Sequence, residues 1–257
     1  MAFSEATGQP TADRGKFTET LRPLREATHL PSYIYTSKEL FEREKEEIFM
    51  KDWLAVARVE EIEKPGDYMT FHIMGEPIIV ARDRDGAINA FYNICAHRGV
   101  EVVEGNGNAK QFKCPYHAWT YDLTGKLLGA SYMDEVSGFD IDNCRMQSIH
   151  SDIWEGWVFV NFDDNAEPLS HFITDFAKHF GVFQQGRFRL TRRLTSTLRC
   201  NWKLINENFV DVYHLITLHG DTLTDWPTPE TYNYTTWKNG GYAAFYENDM
   251  STLAPLR

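Results

Sequence analysis

The period of apolar and polar positions changes several times along this chain, and each change predicts a different kind of element. The first 30 or so residues mix Gly, Pro, Thr and charge without a period, which predicts an arm draped over the surface and carrying no chemistry. Between Thr36 and Met50, Leu40, Phe41 and Ile48 form one stripe, and Thr36-Ser37-Lys38-Glu39 resembles a capping box, so a short helix is expected. From Trp53 to about Phe162 the chain turns to short runs rich in Val, Ile, Phe, Tyr and Trp, broken by Pro65-Gly66, Asp85-Gly86 and Thr124-Gly125. These runs predict antiparallel strands at Trp53 to Val59, Tyr68 to Met74, Pro77 to Arg82, Ile88 to Tyr92, Trp119 to Leu123 and Ile153 to Phe162. Leu169, Phe172, Ile173, Phe176 and Phe180 then step by three and four behind Pro168, the pattern of a helix. A β-like run, Phe188 to Cys200, leads into a longer helical pattern from Asn201 to His219, and aromatic pieces around Tyr232 to Trp237 and Tyr242 to Tyr246 suggest two more strands. The expected class is α+β, divided into an arm and helix at 1–50, a β domain at 51–163, and the start of a second, α+β domain at 164–257.

Composition narrows what such a chain can do. Its 257 residues, 42% hydrophobic, suffice for about two domains with real cores. A net charge of −11 gives no bulk support for binding phosphate backbones, so nucleic acid is not expected as a partner. No apolar run reaches the length of a membrane span and Met1 to Lys16 lacks the apolar stretch of a signal peptide, which points to a cytoplasmic protein without a membrane partner. Four cysteines are too few for a disulfide scaffold, and two of them stand beside histidines, the signature of metal chemistry in a reducing compartment.

Those two are Cys95-Ala96-His97 and Cys114-Pro115-Tyr116-His117, with 16 residues between His97 and Cys114. A structural zinc site usually draws its sulfurs from one knuckle and its imidazoles from another. Here each loop offers one of each, so both sulfurs can hold one iron and both imidazoles the other, as in a Rieske [2Fe-2S] centre. Two neutral imidazoles in place of two thiolates remove negative charge and raise the potential above that of an all-cysteine cluster. A zinc site and two unrelated buried pairs are the competing readings.

The second candidate constellation lies in the segment from Asn201 to His219. Trp202, Ile205, Phe209, Val212 and Ile216 make one stripe, expected to face a core. At about 100° per residue, Glu207, Asp211 and His214 share the opposite side with Leu218 beside them, so a purely solvated face would have to wet leucines. His214 and His219 are five apart and can converge on one ion only if the helix distorts or ends between them.

The two motifs together resemble the α subunit of Rieske non-heme iron oxygenases, the aromatic-ring-hydroxylating type. The likeness rests on Cys95-Ala96-His97-Arg98-Gly99, on Cys114-Pro115-Tyr116-His117-Ala118-Trp119-Thr120, and on Glu207-Asn208-Phe209 followed by D-x2-H-x4-H at Asp211, His214 and His219. It implies a Rieske [2Fe-2S] cluster held by Cys95, His97, Cys114 and His117, and mononuclear Fe(II) held by His214, His219 and a carboxylate in a domain of helix-grip type. Asp211 would be a bridge between His214 and His117 of the neighbouring subunit, which makes a ring of subunits, commonly a homotrimer, part of electron transfer. Asn208 matches a position near the iron. Electrons would come from NAD(P)H through a flavin reductase or ferredoxin, and O2 would hydroxylate a small organic substrate, aromatic in the expected case; a β subunit is an optional partner in the family. Only 38 residues follow His219, and Asp221, Asp225, Glu230, Glu247 and Asp249 do not stand in the context of the family's acidic ligand. The sequence therefore suggests a truncated catalytic domain, and a pure Rieske electron carrier or a catalytically incomplete subunit stays open beside the oxygenase.

Overall fold

A computed structural model of the chain describes residues 18–20, 22–23, 25–211, 213–219 and 221, together with the backbone of two strands, 232–236 and 242–246. Residues 43–196 form one compact unit, and the two ends of the chain, up to residue 42 and from residue 197, form another. No described helix is long and apolar enough to cross a membrane.

The larger unit is built on an antiparallel sheet. Strands β1 (Leu54–Arg58), β2 (Asp67–Ile73), β3 (Glu76–Arg82), β4 (Ile88–Tyr92), β5 (Asn106–Asn108), β9 (Ser148–Trp154) and β10 (Trp157–Asn161) lie in the order β1-β10-β9-β4-β3-β2-β5. A second sheet of three short strands, β6 (Phe112–Lys113), β7 (Thr120–Tyr121) and β8 (Leu127–Gly129), carries one of the Cys/His loops. Central strand β3 explains how the layers meet. Its side chains alternate with period two: Ile78 and Val80 enter a core with Ala57, Ile62, Val158 and Val160, while Ile79 and Ala81 enter another with Phe91, Phe112, Tyr121 and both loop cysteines. A strand buried on both sides needs apolar residues at consecutive positions, and Pro77-Ile78-Ile79-Val80-Ala81 supplies them.

The expected strand from Ile153 to Phe162 proves to be a hairpin. Glu155 (φ 48°) and Gly156 (φ 78°) both adopt left-handed backbone between β9 and β10, the signature of a two-residue turn whose twist matches the strands. Glycine is required at 156 because a Cβ there would lie 2.6 Å from Nη2 of buried Arg58, which donates through Nη1 to the Glu155 carbonyl at 2.8 Å. The expected strand Trp119 to Leu123 is reduced to β7, because Asp122 Oδ1 accepts from the backbone N–H groups of Thr124 and Lys126 and closes a tight turn.

The run from Phe188 to Cys200 forms no strand and joins no sheet. Its 188–196 part is held by side chains: Glu60 accepts from the Leu190 N–H, and Arg193 makes a two-pronged contact to Glu61 at 2.7 and 2.6 Å. The guanidinium of Arg193 foremost, against an opposing effect of burial, keeps the Glu61 carboxyl below its ordinary range. Strand-forming residues here find no ladder to join.

The helices are shorter than their periodicity suggests. The stretch 36–50 resolves into α2 (Lys38–Glu44) and a wider helical turn at Lys45–Phe49, preceded by α1 (Tyr33–Thr36). The cap is Ser37, whose Oγ accepts from Leu40 N at 3.2 Å, one residue later than the box written in the sequence. After Pro168, α3 (Leu169–Phe172) and α4 (Thr174–Phe180) are separated at Ile173; Leu169 and Ile173 pack with Trp53. In the smaller unit, α5 (Trp202–Val210) starts at Asn201, whose Oδ1 accepts from Lys203 N at 3.0 Å, and α6 (Tyr213–Leu218) follows a break at Asp211. Backbone pairing of β11 (Tyr232–Thr236) with β12 (Tyr242–Tyr246) agrees with the strands expected there.

One expectation fails. The Trp202, Ile205, Phe209 stripe does not face a core: α5 has no buried residue, and Phe209 is 78% exposed. The break at Asp211, where ψ is 111°, also ends the regular helical rotation of α5; Val212 and the side chain of Ile216 lie outside the described residues.

Candidate metal centres

Two loops bring the first constellation together. Cys95 follows β4 in a tight turn, with Gly99 N–H donating to the Cys95 carbonyl at 2.9 Å and Cys95 N–H to Val100 at 2.8 Å. The loop between β6 and β7 has the same form: Ala118 N–H donates to Cys114 at 3.0 Å, and Cys114 N–H to Trp119 at 2.8 Å. Gly99 (φ 70°) and Ala118 (φ 61°) turn the chain through left-handed backbone at equivalent places, four residues after each cysteine. This repeated turn exposes a Cys and a His on the inner side of each loop, which strand propensities alone do not provide.

The side chains then meet. Cys95 and Cys114 are both 2% exposed, and the His97 and His117 rings stand edge to face with centroids 4.6 Å apart. Trp119 stacks on His97 at 4.9 Å and 9°, and Tyr116 lies 3.9 Å from His117, so aromatic surface shields both imidazoles. The decisive feature is a deficit. Nδ1 of His97 and Nδ1 of His117 are buried, and neither has a hydrogen-bond partner. Leaving two buried ring nitrogens unpaired costs about 1–3 kcal/mol each, a cost that coordination offsets. Burial, then His97 and Arg98, pushes the His117 imidazolium down, so the ring is held neutral and able to offer a lone pair.

Tyr121, on β7 just after the second loop, has a specific place. Its ring is fully buried and its hydroxyl lies 3.1 Å from Cys95 Sγ. Ala96 N–H donates to the same oxygen at 3.0 Å, which leaves the phenol proton for the sulfur. Burial foremost, and then the Cys95 contact, drives the phenol far above its usual range, so it remains a donor. A hydrogen bond to sulfur favours the more negative, reduced form of a cluster. Tyr121→Phe should therefore lower the midpoint potential by about 40 mV, the one-electron equivalent of about 1 kcal/mol. An EPR-monitored redox titration checks this, and an unchanged potential would refute it.

The second constellation is partly assembled. Asp211 caps the end of α5, with its N–H on the Glu207 carbonyl at 2.9 Å, and its Oδ2 lies 2.9 Å from Nδ1 of His214. α6 ends at Leu218, and the turn that follows sets the His219 ring 5.5 Å from that of His214. The two histidines thus approach because the helix ends between them, as the spacing required. Asn208 is exposed on α5, and so is Asp221 beyond His219. Asp225, Glu230, Glu247 and Asp249 lie outside the described residues. Among the described residues no three Cys, His, Asp or Glu side chains close on one ion. Of the other cysteines, Cys144 is half-buried and Cys200 is exposed.

Comparison with known proteins gives the same two parts. The family described as Rieske [2Fe-2S] domain matches residues 52–140, and the ring hydroxylating alpha subunit catalytic domain matches residues 185–255. The carnitine monooxygenase oxygenase subunit of Acinetobacter baumannii is 39% identical over 189 residues, covering 72% of this chain and 50% of that protein. The 2-aminobenzenesulfonate 2,3-dioxygenase subunit alpha of an Alcaligenes species is 36% identical over 203 residues, 76% of this chain and 52% of its own length. A solved quaternary ammonium Rieske monooxygenase superposes with a TM-score of 0.75 at 37% identity, covering 81% of this chain and 58% of that one. The chain spans about half the length of the curated relatives it matches. With a Rieske cluster domain followed by part of a ring-hydroxylating catalytic domain, the chain belongs to the α subunits of the Rieske non-heme iron oxygenases.

Proposed function

We propose that this chain is the electron-receiving and iron-binding part of a terminal oxygenase that hydroxylates a small organic substrate with O2 and electrons from NAD(P)H. Cys95 and Cys114 are the thiolate ligands of one cluster iron, and Nδ1 of His97 and of His117 the imidazole ligands of the other. The single observation that carries the assignment is the pair of buried, unpartnered Nδ1 atoms beside two buried thiols. A cluster bound there supplies one-electron transfer, and ferrous iron at His214 and His219 supplies O2 activation.

The chain's own groups then have defined tasks. Asp211 Oδ2 accepts from His214 Nδ1–H at 2.9 Å, which fixes the tautomer and reserves Nε2 for the metal. The Asp211 side chain stays 48% exposed, so its carboxylate can also meet a group from outside the chain, in this reading His117 of an adjacent subunit in a homotrimer. Tyr121 holds the Cys95 sulfur, and Trp119 and Tyr116 keep water from the imidazoles. The domain boundaries at residues 50 and 163, the reductase or ferredoxin donor, an optional β subunit and the family's acidic iron ligand belong to the same proposal, and so does a weak role for Asn208. The aromatic substrate expected from sequence stands beside a quaternary-ammonium one, since relatives are named for 2-aminobenzenesulfonate and for carnitine.

Metal content tests the reading on protein expressed from the full reading frame and purified anaerobically. About three irons for every two acid-labile sulfides supports the oxygenase, and two for two supports a Rieske electron carrier. Oxygen uptake with a competent reductase, driven separately by aromatic acids and by quaternary amines, then assigns the substrate class.

A further inference from the structure

Outside the two metal constellations, Tyr35 touches the iron-site helix at both ends. Its hydroxyl donates to Oε1 and Oε2 of Glu207 at 2.8 and 2.9 Å, and its carbonyl accepts from Asn201 Nδ2 at 3.3 Å. Its ring lies under Lys203 Nζ, 5.9 Å from the centroid, while the same ammonium lies 5.4 Å from the Trp202 ring. Asn201 is the cap of α5, and Glu207 lies six residues on, about 9 Å along the axis. One residue of α1 therefore spans the helix from its first turn to the turn before its end.

What that end carries gives the contact its meaning. The Asp211 N–H donates to the Glu207 carbonyl, and Asp211 then holds His214. α5 has no buried residue, so a tightly packed core does not fix its rotation or its last turn. A shared proton between a phenol and both oxygens of a carboxylate is a directional, charge-assisted constraint that packing does not supply here. Burial, and then Glu207, pushes the Tyr35 phenol up, which keeps the hydroxyl a donor to the carboxylate.

We propose that Tyr35 and Glu207 form a strut that sets the end of α5, and with it the orientation of the Asp211–His214 pair toward the metal. Tyr35 is a positioning residue, separated from the ion by Glu207, Asp211 and His214. The proposal rests on the reading of His214 as a metal ligand.

Cobalt(II) titration of the full-length protein stripped of its mononuclear iron but keeping its cluster, followed by difference absorption, tests it, with His214→Ala defining the specific component. Tyr35→Phe should weaken that component about tenfold, the scale of an outer-shell partner, while the cluster EPR spectrum and far-UV circular dichroism stay unchanged. Glu207→Ala should do the same, and Tyr35→Phe with Glu207→Ala should lose no more than either alone. Glu207→Gln keeps an oxygen that accepts from Tyr35 and should retain most of the affinity. Wild-type affinity in Tyr35→Phe, or losses that add in the double variant, would overturn the strut while leaving the metal site standing. If wild type and His214→Ala bind cobalt alike, the metal-ligand reading falls and the strut falls with it.

Discussion

Cys114→Ser should give a colourless protein with iron and acid-labile sulfide reduced to background and no EPR signal after dithionite. The cysteine is 2% exposed, in a core with Phe112, Trp119, Tyr121 and Leu127, so nothing from solvent can replace its thiolate. Serine is nearly the same size, hence packing survives; what is lost is a soft donor that iron–sulfur chemistry requires. The consequence extends to stability. Without the cluster, His97 Nδ1 and His117 Nδ1 keep their unsatisfied buried state, at about 1–3 kcal/mol each, and binding energy that had contributed to folding is absent. The melting temperature should therefore fall together with the colour. Cys144→Ser is the control: that thiol is half-buried, lies outside both loops, and its replacement should leave iron and spectrum intact. A Cys114→Ser protein that keeps its reduced EPR signal would show that the four loop residues are not the ligands.

The second large effect separates electron capture from electron use. Asp211→Asn should leave the cluster spectrum and its reduction unchanged, yet lower oxygen uptake coupled to product by about 10–100-fold, the range for groups that orient a metal ligand. Asparagine preserves shape, and its Oδ1 still accepts from His214 Nδ1–H, so tautomer and helix end are kept. Only the negative charge goes. Because the side chain is 48% exposed, little packing energy is at stake, and a fall in activity cannot be ascribed to unfolding. Stopped-flow reduction of the cluster, measured beside oxygen uptake on the full-length enzyme, gives both readouts. Unchanged coupled turnover would remove Asp211 from the path.

Residues that carry chemistry were the most legible part of this chain. The alternation of Cys and His in Cys95-Ala96-His97 and Cys114-Pro115-Tyr116-His117 narrows the choice of metal because ligand type and spacing are covalent facts. The stop after Leu218 that brings His219 toward His214 was also readable, since a five-residue spacing does not converge on a continuous helix. Tyr121 was visible as an aromatic near the loop, but not as a donor to Cys95: the partners are 26 residues apart and meet only through the β6–β7–β8 sheet. A buried tyrosine always needs a partner for its hydroxyl, and that rule was the available signal. The Tyr35–Glu207 contact spans 172 residues and left no local trace.

Periodicity erred where an environment decides the outcome. The stripe through Phe209 has the spacing of a buried face, yet Phe209 is exposed, because amphipathic spacing states which residues share a side and not whether anything lies against it. Phe188 to Cys200 has strand residues without a strand, because a ladder needs a partner edge and here Glu60 and Glu61 take the contacts.

The amino-acid order alone supplied the candidate donor residues, the antiparallel β character of the larger unit and the condition that a helix must end before His214 and His219 can approach, all properties of short-range spacing and side-chain chemistry. Tertiary structure alone decided that the imidazole Nδ1 atoms are buried without partners, that Tyr121 reaches a sulfur, and that Tyr35 bonds to both Glu207 and the cap of α5. Each of these depends on atoms distant in the chain being placed within about 3 Å of one another, or walled off from water, and hydrogen bonding and desolvation act only at that range.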